Sequence, residues 1–293
     1  MAHHHHHHES HKNIAVAFFL NLAFTFIEIV GGLLTNSMAI LSDAVHDLGD
    51  SVTLGLSWYL ERLSHKPRTE RLTYGYKRFS LLGAVISAAI LLTGSVFILS
   101  EAIPRLFHPE DVRVEGMILM ALVGVAVNGL AVLRLKSGTK INEKVVMFHL
   151  LEDAIGWVAV LIVSLVMKVV YLPILDPILS VGLSLFIIAK IIPNIKEAVQ
   201  IFLQYTPRGS DIALIKGRIE SLKSVKEAHD IHLWSVDGLH HIFSCHLVLE
   251  KNISVKETQG VKEDVRKILE EEGITHPTLE FELADEECRA CDS

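Results

Sequence analysis

The chain runs Phe79-Ser-Leu-Leu-Gly-Ala-Val-Ile-Ser-Ala-Ala-Ile-Leu-Leu-Thr-Gly-Ser-Val-Phe-Ile-Leu-Ser100 without a single charged side chain. An α-helix of about 20 apolar residues crosses the roughly 30 Å hydrocarbon layer of a membrane. This stretch therefore predicts a membrane-spanning helix. A second stretch, Gly116 to Leu133, repeats the pattern almost as clearly.

Four further apolar segments accompany these two, and they carry acidic residues or histidine inside the apolar run. The six segments cover roughly 13–34, 38–61, 79–106, 114–135, 144–171 and 176–200. A soluble protein with a large helical core is the alternative, but six such segments joined by short polar links are difficult to bury in water. We therefore predict an α-helical membrane protein, with six transmembrane helices that contact the lipid bilayer over 12–206.

The charge is distributed unevenly along the chain. Met1 to His8 form an expression tag that holds six of the 17 histidines, so 1–11 are set aside as tag and N-terminal stub. Charged residues are sparse up to Ile195 and dense from Arg208 onward. The net charge of −7 provides no basic stripe to neutralise phosphates, which argues against a nucleic-acid partner.

Lysine and arginine are concentrated in two of the short loops. The loop after the second segment and the loop after the fourth contain Arg62, Lys66, Arg68, Arg71, Lys77, Arg78, Arg134, Lys136, Lys140 and Lys144. Because short cytoplasmic loops are enriched in positive charge, these loops are expected on the cytoplasmic side. The prediction is a multi-pass protein of the inner cell membrane with both termini in the cytoplasm.

The pattern changes after Pro207, where alternating and amphipathic stretches replace the apolar runs. Helices are predicted over 211–222 and 255–272, and strands over 228–235, 241–250 and 278–283, with a turn at Asp237-Gly238. This order predicts a small cytoplasmic α+β domain over 207–285. A tail over 286–293 contains the pair Cys288 and Cys291.

Two of the apolar segments carry the same polar motif, H-x-x-x-D. His46 and Asp50 form one copy, and His149 and Asp153 form the other. Each charge at the centre of a membrane helix costs at least about 2.5–3.5 kcal/mol, so these side chains need a compensating partner. Residues four apart share one face of a helix. Two such helices facing each other would surround a divalent cation with two imidazoles and two carboxylates.

This set of donors indicates which metal the site would hold. Four nitrogen and oxygen ligands suit tetrahedral Zn²⁺, whereas Mg²⁺ and Ca²⁺ sites are built from oxygen ligands. Asp43 and Asp47 lie on the same segment as His46. Asp47 is about 100° around the helix from His46. We therefore expect Asp43 and Asp47 to line the site behind the ligands.

The sequence around these motifs resembles the cation diffusion facilitator family, in the zinc-transporting branch typified by bacterial zinc, cobalt and cadmium exporters. The resemblance rests on Ser42-Asp-Ala-Val-His-Asp-Leu-Gly-Asp-Ser51, His149-Leu-Leu-Glu-Asp153, Tyr74-Gly-Tyr76, Asp176-Pro177, Ala228-His-Asp-Ile-His-Leu-Trp234 and Ser244-Cys-His-Leu-Val248. It implies a homodimeric secondary transporter, rather than an enzyme, that exchanges metal for protons. It also implies a ferredoxin-like cytoplasmic domain and a transport site at the paired motifs, where His46 in place of aspartate favours zinc.

The resemblance also implies a regulatory metal site in the cytoplasmic domain. His229, His246 and Glu282 occupy positions where family members bind metal, and Cys288 and Cys291 could add thiolate ligands. The alternative is a set of solvated histidines and a disordered tail that bind no metal.

Three functions remain open at this stage. The first is proton-coupled export of a divalent cation by alternating access, in which Zn²⁺ and protons compete because the metal requires neutral histidine and ionised aspartate. The second is a membrane metal sensor without transport. The third is an intramembrane zinc-dependent hydrolase, although four protein ligands would close the position that a hydrolytic water needs.

Overall fold

The computed structural model describes residues 22–135, 141–250 and 254–283. Its helices and strands, in chain order, are α1 (Leu22–Thr35), α2 (Met38–Ser64), α3 (Arg78–Phe107), α4 (Val114–Leu135), α5 (Ile141–Val169), α6 (Leu175–Phe202), α7 (Ile212–Glu220), β1 (Val225–Ser235), β2 (His241–Leu249), α8 (Val255–Glu271) and β3 (Ile274–Leu283). The tag, the start of the first predicted segment and the tail with Cys288 and Cys291 lie outside the described residues.

Four of these helices are long and apolar enough to cross a membrane, namely α3, α4, α5 and α6. They confirm a multi-pass helical membrane domain. The predicted count of six depends on α1 and α2. The described part of α1 is shorter than a full span, and α2 is 27 residues long but contains the polar groups of the first H-x-x-x-D motif.

Small residues allow the membrane helices to approach closely. A side chain at Gly124 on α4 would place its Cβ only 2.1 Å from the ring of Trp157 on α5. Trp157 is fully buried and makes an edge-to-face contact with Phe24 of α1. In contrast, large apolar side chains such as Phe97, Leu130 and Ile162 remain exposed, as expected of surfaces that face lipid. Trp157 is thus a packing residue at the centre of the helix bundle.

The beginning of α2 is held by a carboxylate from α6. Asp176 accepts hydrogen bonds from the hydroxyl of Ser37 at 2.5 Å and from the backbone N–H of Met38 at 2.7 Å. Ser37 also accepts one from the N–H of Ile40. A carboxylate at a helix N-terminus accepts hydrogen bonds from the free N–H groups there, and its negative charge is attracted by the positive end of the helix dipole. This contact anchors α2, the helix that carries the first metal motif, to α6.

The chain divides into two compact units. One comprises the chain up to Tyr59 together with Gly83–Ile195, and the other comprises Leu60–Leu82 together with the chain from Lys196 onward. The loop between α2 and α3 therefore belongs to the same unit as the cytoplasmic elements. The domain boundaries at 12, 206 and 285 stay a prediction.

The cytoplasmic part has the predicted order of helix, strand, strand, helix, strand. β1 and β2 pair antiparallel around the turn at Asp237-Gly238, and β2 and β3 pair parallel through the crossover helix α8. Helix α8 begins with a capping box formed by Ser254 and Glu257. The structure confirms a small domain of α and β elements.

One face of this sheet forms the core and the other carries polar groups. Phe243, Cys245 and Leu247 of β2 are buried against α7 and α8, in a core with Val265 and Leu269 of α8. Burial raises the pKa of the Cys245 thiol to about 12, so this cysteine stays protonated. Because strand residues alternate between faces, the intervening residue His246 points to the opposite, half-buried face.

Candidate metal transport site

Helices α2 and α5 bring the two H-x-x-x-D motifs into contact. His46 Nε2 lies 3.6 Å from Asp50 Oδ2, and the same oxygen lies 3.1 Å from His149 Nε2 on the other helix. His149 Nε2 lies 3.7 Å from Asp153 Oδ2. The rings of His46 and His149 face each other edge to face, with centroids 6.2 Å apart. All four side chains therefore belong to one connected group, with Asp50 between the two histidines.

The separations between neighbouring ligand atoms are similar to those of a tetrahedral zinc site. Zinc holds nitrogen and oxygen ligands at about 2.0–2.2 Å, which separates neighbouring tetrahedral ligand atoms by about 3.3–3.6 Å. The three measured separations of 3.1, 3.6 and 3.7 Å bracket that range. The ligand atoms are linked in series, and among the described residues no three of them lie mutually within 4.8 Å. The side chains would therefore have to move closer together to surround an ion.

Several polar atoms of this group make no hydrogen bond. Asp50 Oδ2, Asp153 Oδ1 and His46 Nδ1 are buried and have no partner of acceptable geometry. Buried polar atoms without partners are rare because each costs about 1–3 kcal/mol or more when charged. Asp50 Oδ2 still has a close contact, because it lies 3.1 Å from His149 Nε2. The remaining carboxylate oxygen without a partner is of the kind that a bound cation would satisfy.

Further carboxylates surround the group. Asp43 and Asp47 on α2 are both buried, and Asp43 lies beside Gly156 of α5, where a Cβ would be 3.6 Å from its Oδ1. Glu28 on α1 is fully inaccessible, and neither of its oxygens makes a hydrogen bond. An acidic residue in the middle of an apolar segment is itself a sign of function, and Glu28 is such a residue. Its spacing in the sequence, however, did not predict that it would lie near the acidic residues of α2.

Glu152 of α5 lies outside the group, although it adjoins Asp153 in sequence. Both of its oxygens accept from Lys190 Nζ of α6 at 2.6 Å. A carboxylate held in this ion pair is poorly placed to activate a water molecule at the histidines. This pairing argues against the hydrolase interpretation.

A second cluster of metal-binding side chains lies on the polar face of the cytoplasmic sheet. One ligand atom from each of His229, His246 and Glu282 lies within 4.8 Å of the other two. Within 22–135, 141–250 and 254–283, this is the one such group of three or more. Glu282 lies 3.1 Å from His229 Nε2 and 2.7 Å from His246 Nδ1. Strand pairing places His229 directly opposite His246.

The structure adds Asp230 to this cluster, a residue that the sequence pattern did not indicate. The β1–β2 register shifts between His229 and His232, and Asp230 adopts a positive φ of 48°. The bulge brings Asp230 Oδ2 within 3.5 Å of His246 Nε2, while its other oxygen is 3.0 Å from His232. Strict alternation would have placed Asp230 on the buried face, so only the bulge makes it a neighbour of His246.

Two family models match the chain. The model for the cation efflux transmembrane domain matches 14–203, and the model for the cytoplasmic domain of cation efflux proteins matches 207–279. Together they cover both parts of the chain in the order that the sequence predicted.

Known proteins of similar sequence include several metal transporters. The cadmium, cobalt and zinc/H(+)-K(+) antiporter of Bacillus subtilis is 30% identical, over 96% of this chain and 92% of that protein. The metal cation efflux system protein CzcD of Cupriavidus metallidurans is 28% identical, over 96% and 89%. The zinc transporter ZitB of Pectobacterium atrosepticum is 32% identical, over 80% and 76%.

Among solved structures, the metal-bound C-terminal domain of the CzcD transporter is 27% identical and covers 25% of this chain and 100% of that domain. Its TM-score of 0.24 is too low to support any inference. The family models and the relatives, by contrast, extend over nearly the whole chain and agree with a helical membrane domain followed by a small cytoplasmic domain. This chain belongs to the cation efflux family, a family of membrane transporters for divalent metals.

Proposed function

We propose that this protein exports Zn²⁺ from the cytosol in exchange for protons, through a site formed by His46, Asp50, His149 and Asp153. In this proposal α1 and α2 also span the membrane, which makes six helices, and both termini are cytoplasmic. The protein works as a homodimer in the inner membrane, which the match to a family of cytoplasmic dimerisation domains supports.

One observation supports the site above all others. Asp50 Oδ2 lies within 3.6 Å of His46 and within 3.1 Å of His149, so that it joins the motif of α2 to the motif of α5. An isolated i,i+4 pair of His and Asp is common on solvated helix faces. A carboxylate shared between two such pairs, near the buried Asp43 and Asp47, is the arrangement that a cation site between two helices needs.

Proton exchange follows from the chemistry of the ligands. Histidine binds metal in its neutral form and aspartate in its ionised form, so protons and metal compete for the same four groups. The ordinary pKa of histidine, about 6.5, places this competition near physiological pH. The name of the Bacillus subtilis relative includes both H⁺ and K⁺, so the counter-ion must be tested rather than assumed.

Uptake of zinc into proteoliposomes that contain the purified protein tests this function. We expect saturable accumulation that protein-free vesicles do not show. A metal sensor would bind zinc without moving it across the bilayer, and a hydrolase would show no zinc flux. Absence of flux in correctly inserted protein would therefore contradict the proposal.

We propose that the preference of the transport site for zinc over manganese depends on His46. Replacing this imidazole by a carboxylate, His46→Asp, substitutes a harder oxygen donor, which suits Mn²⁺ better than nitrogen does. We expect the ratio of manganese to zinc uptake to rise by about tenfold or more, the range that one changed ligand contact commonly produces. Competition between the two metals in the uptake assay measures this ratio. An unchanged ranking would place selectivity elsewhere, for example at Asp43 or Asp47.

We further propose that His229, His246 and Glu282 bind a regulatory zinc ion. Two imidazoles and one carboxylate supply three ligands, and Asp230 is close enough to His246 to act as a fourth. Cys288 and Cys291 follow β3 along the chain and remain candidates for additional ligands. The half-buried position of the cluster limits competition from water while leaving a route for the metal.

Zinc content of the full-length protein tests the cytoplasmic site separately from the membrane site. In an Asp50→Ala background, where the membrane site is impaired, we expect His246→Ala to remove the remaining zinc ion of each protomer. His240→Ala is the matched control, because His240 pairs with Asp237 in the turn between β1 and β2 rather than with a proposed ligand. Elemental analysis after dialysis against submicromolar zinc measures the content. Equal zinc content in both histidine variants would contradict the assignment.

A further inference from the structure

A cavity of about 550 Å³ lies beside the loop that connects α2 and α3. This volume is within the range of about 300–1,000 Å³ that is usual for small-molecule sites. The loop, the β1–β2 turn and the start of β3 contribute the lining, including Lys66, Arg68 and Lys77. None of these residues takes part in the transport site or in the cytoplasmic cluster.

The charges around this cavity are unbalanced. Its two carboxylates are already engaged, since Glu61 lies 3.1 Å from His65 Nε2 and Asp237 lies 2.8 Å from His240 Nδ1. In the part of the chain that the structure describes, none of the three cations forms an ion pair. Three like charges around one cavity repel one another, so an anion placed among them would be bound favourably.

Asp237, one of the two carboxylates, is held within its own turn. Burial acts to raise the pKa of this carboxyl, but hydrogen bonds from the backbone N–H groups of His240 and Leu239, and the contact with the His240 ring, hold it below its ordinary value. Asp237 thus stays ionised, but it is held within its own turn and, among the described residues, forms no ion pair with Lys66 or Arg68. The lining therefore has three cations and two carboxylates, an excess of one positive charge.

The loop that carries the cations is ordered by its own hydrogen bonds. The backbone N–H groups of Gly75 and Thr69 both donate to the carbonyl of Leu72. Gly75 has a φ of +76°, which side chains rarely permit, and its backbone lies against Lys66 and Arg68. An ordered backbone reduces the conformational entropy lost when the loop binds a ligand, which favours a specific site over a diffuse basic surface.

The location of the loop indicates which anions it would meet. It connects the end of α2 to Arg78, where the apolar helix α3 begins, so it emerges at the membrane surface. It belongs to the same compact unit as the cytoplasmic domain. The cytoplasmic leaflet presents anionic phospholipid headgroups, and Lys and Arg near that surface bind their phosphates.

A metal ion fits the cavity less well, although His65, His240 and His276 also line it. Among the residues described, no three ligand atoms from these groups lie mutually within 4.8 Å. Three neighbouring cations would also oppose a dication. We infer that this cavity binds an anionic phosphate group, such as the headgroup of an acidic phospholipid, between the α2–α3 loop and the β1–β2 turn.

Native mass spectrometry of the full-length protein in detergent tests this inference, with dioleoylphosphatidylglycerol as the probe and dioleoylphosphatidylcholine as the neutral comparison. The variant K66Q/R68Q removes two exposed cations that line the cavity. The control R62Q/R71Q removes two exposed cations of the same segment that do not line it. Each Lys or Arg beside anionic phosphates contributes about fivefold to affinity, so we expect K66Q/R68Q to weaken phosphatidylglycerol binding about twentyfold. The control should change it less than about threefold.

Competition with glycerol 1-phosphate then distinguishes the two sources of phosphate. Displacement of the lipid would identify the phosphate group itself as sufficient, and failure to displace it would identify the membrane lipid as the occupant. Equal losses in K66Q/R68Q and R62Q/R71Q would overturn the inference, because they would indicate non-specific attraction to a basic loop. Wild-type protein that binds phosphatidylglycerol no better than phosphatidylcholine would also overturn the inference. So would displacement of phosphatidylglycerol by Zn²⁺ bound at the cavity.

Discussion

Replacement of Asp50 by alanine is expected to abolish zinc uptake, with a loss of about a hundredfold or more. Among the described residues, Asp50 is the one carboxylate that lies within ion-pair distance of both His46 and His149. Its removal therefore breaks the contact between the motif of α2 and the motif of α5. Loss of groups that merely support a metal ligand already costs about 10–100-fold in affinity, and loss of a ligand should cost at least as much. Initial rates of zinc uptake into proteoliposomes measure the effect.

The matched control for this prediction is Glu152→Gln. Glu152 is an acidic residue of α5 adjacent to Asp153, but it pairs with Lys190 of α6 and forms no ion pair with His46 or His149 among the described contacts. We expect this variant to retain at least about half of the wild-type rate, because it changes a charge near the site without removing a ligand. Asp50→Ala protein that inserts normally and transports zinc at the wild-type rate would rule out the proposed site.

Dissipation of a pH gradient is expected to reduce zinc accumulation to passive equilibration. In vesicles with the cytoplasmic face outward and an acidic lumen, protons leaving the lumen drive zinc inward. Protonation of the site on the luminal side releases the metal, and protons then compensate the charge of the carboxylates during the return step. Without protons, an empty site with ionised aspartates inside the membrane would be costly to reorient. A zinc-sensitive dye in the lumen follows the accumulation.

Ionophores separate the candidate driving forces in this assay. Nigericin in potassium medium collapses the pH gradient and should stop accumulation. Valinomycin in the same medium removes the membrane potential and should have a smaller effect. An imposed potassium gradient at constant pH tests whether K⁺ can replace H⁺. Zinc entry that is independent of the gradient between about pH 5.5 and 7.5, where histidine titrates, would indicate a channel rather than an antiporter.

Much of the fold could be predicted from local pattern. The apolar runs predicted α3 and α4 within one residue at each end, because membrane thickness imposes a length and a composition on every span. The cytoplasmic elements were also found in order, since strands and amphipathic helices have distinct periods. β3 proved longer than predicted and begins at Ile274, because the parallel pairing with β2 extends over residues such as Pro277 that interrupt the alternating pattern.

The paired H-x-x-x-D motifs alone determined that each helix presents an imidazole and a carboxylate on one face, since the helical period is the same in any environment. They also supplied the donor set from which zinc was predicted, and that choice of metal stays a prediction. Only the tertiary structure decided that α2 and α5 face each other, that Asp50 lies between both histidines, and that Glu152 turns away toward Lys190. Likewise, only the bulge in β1 places the side chain of Asp230 on the same face of the sheet as His246. The physical reason is common to these cases: periodicity fixes directions within one element, whereas distances between elements depend on how their side chains pack together.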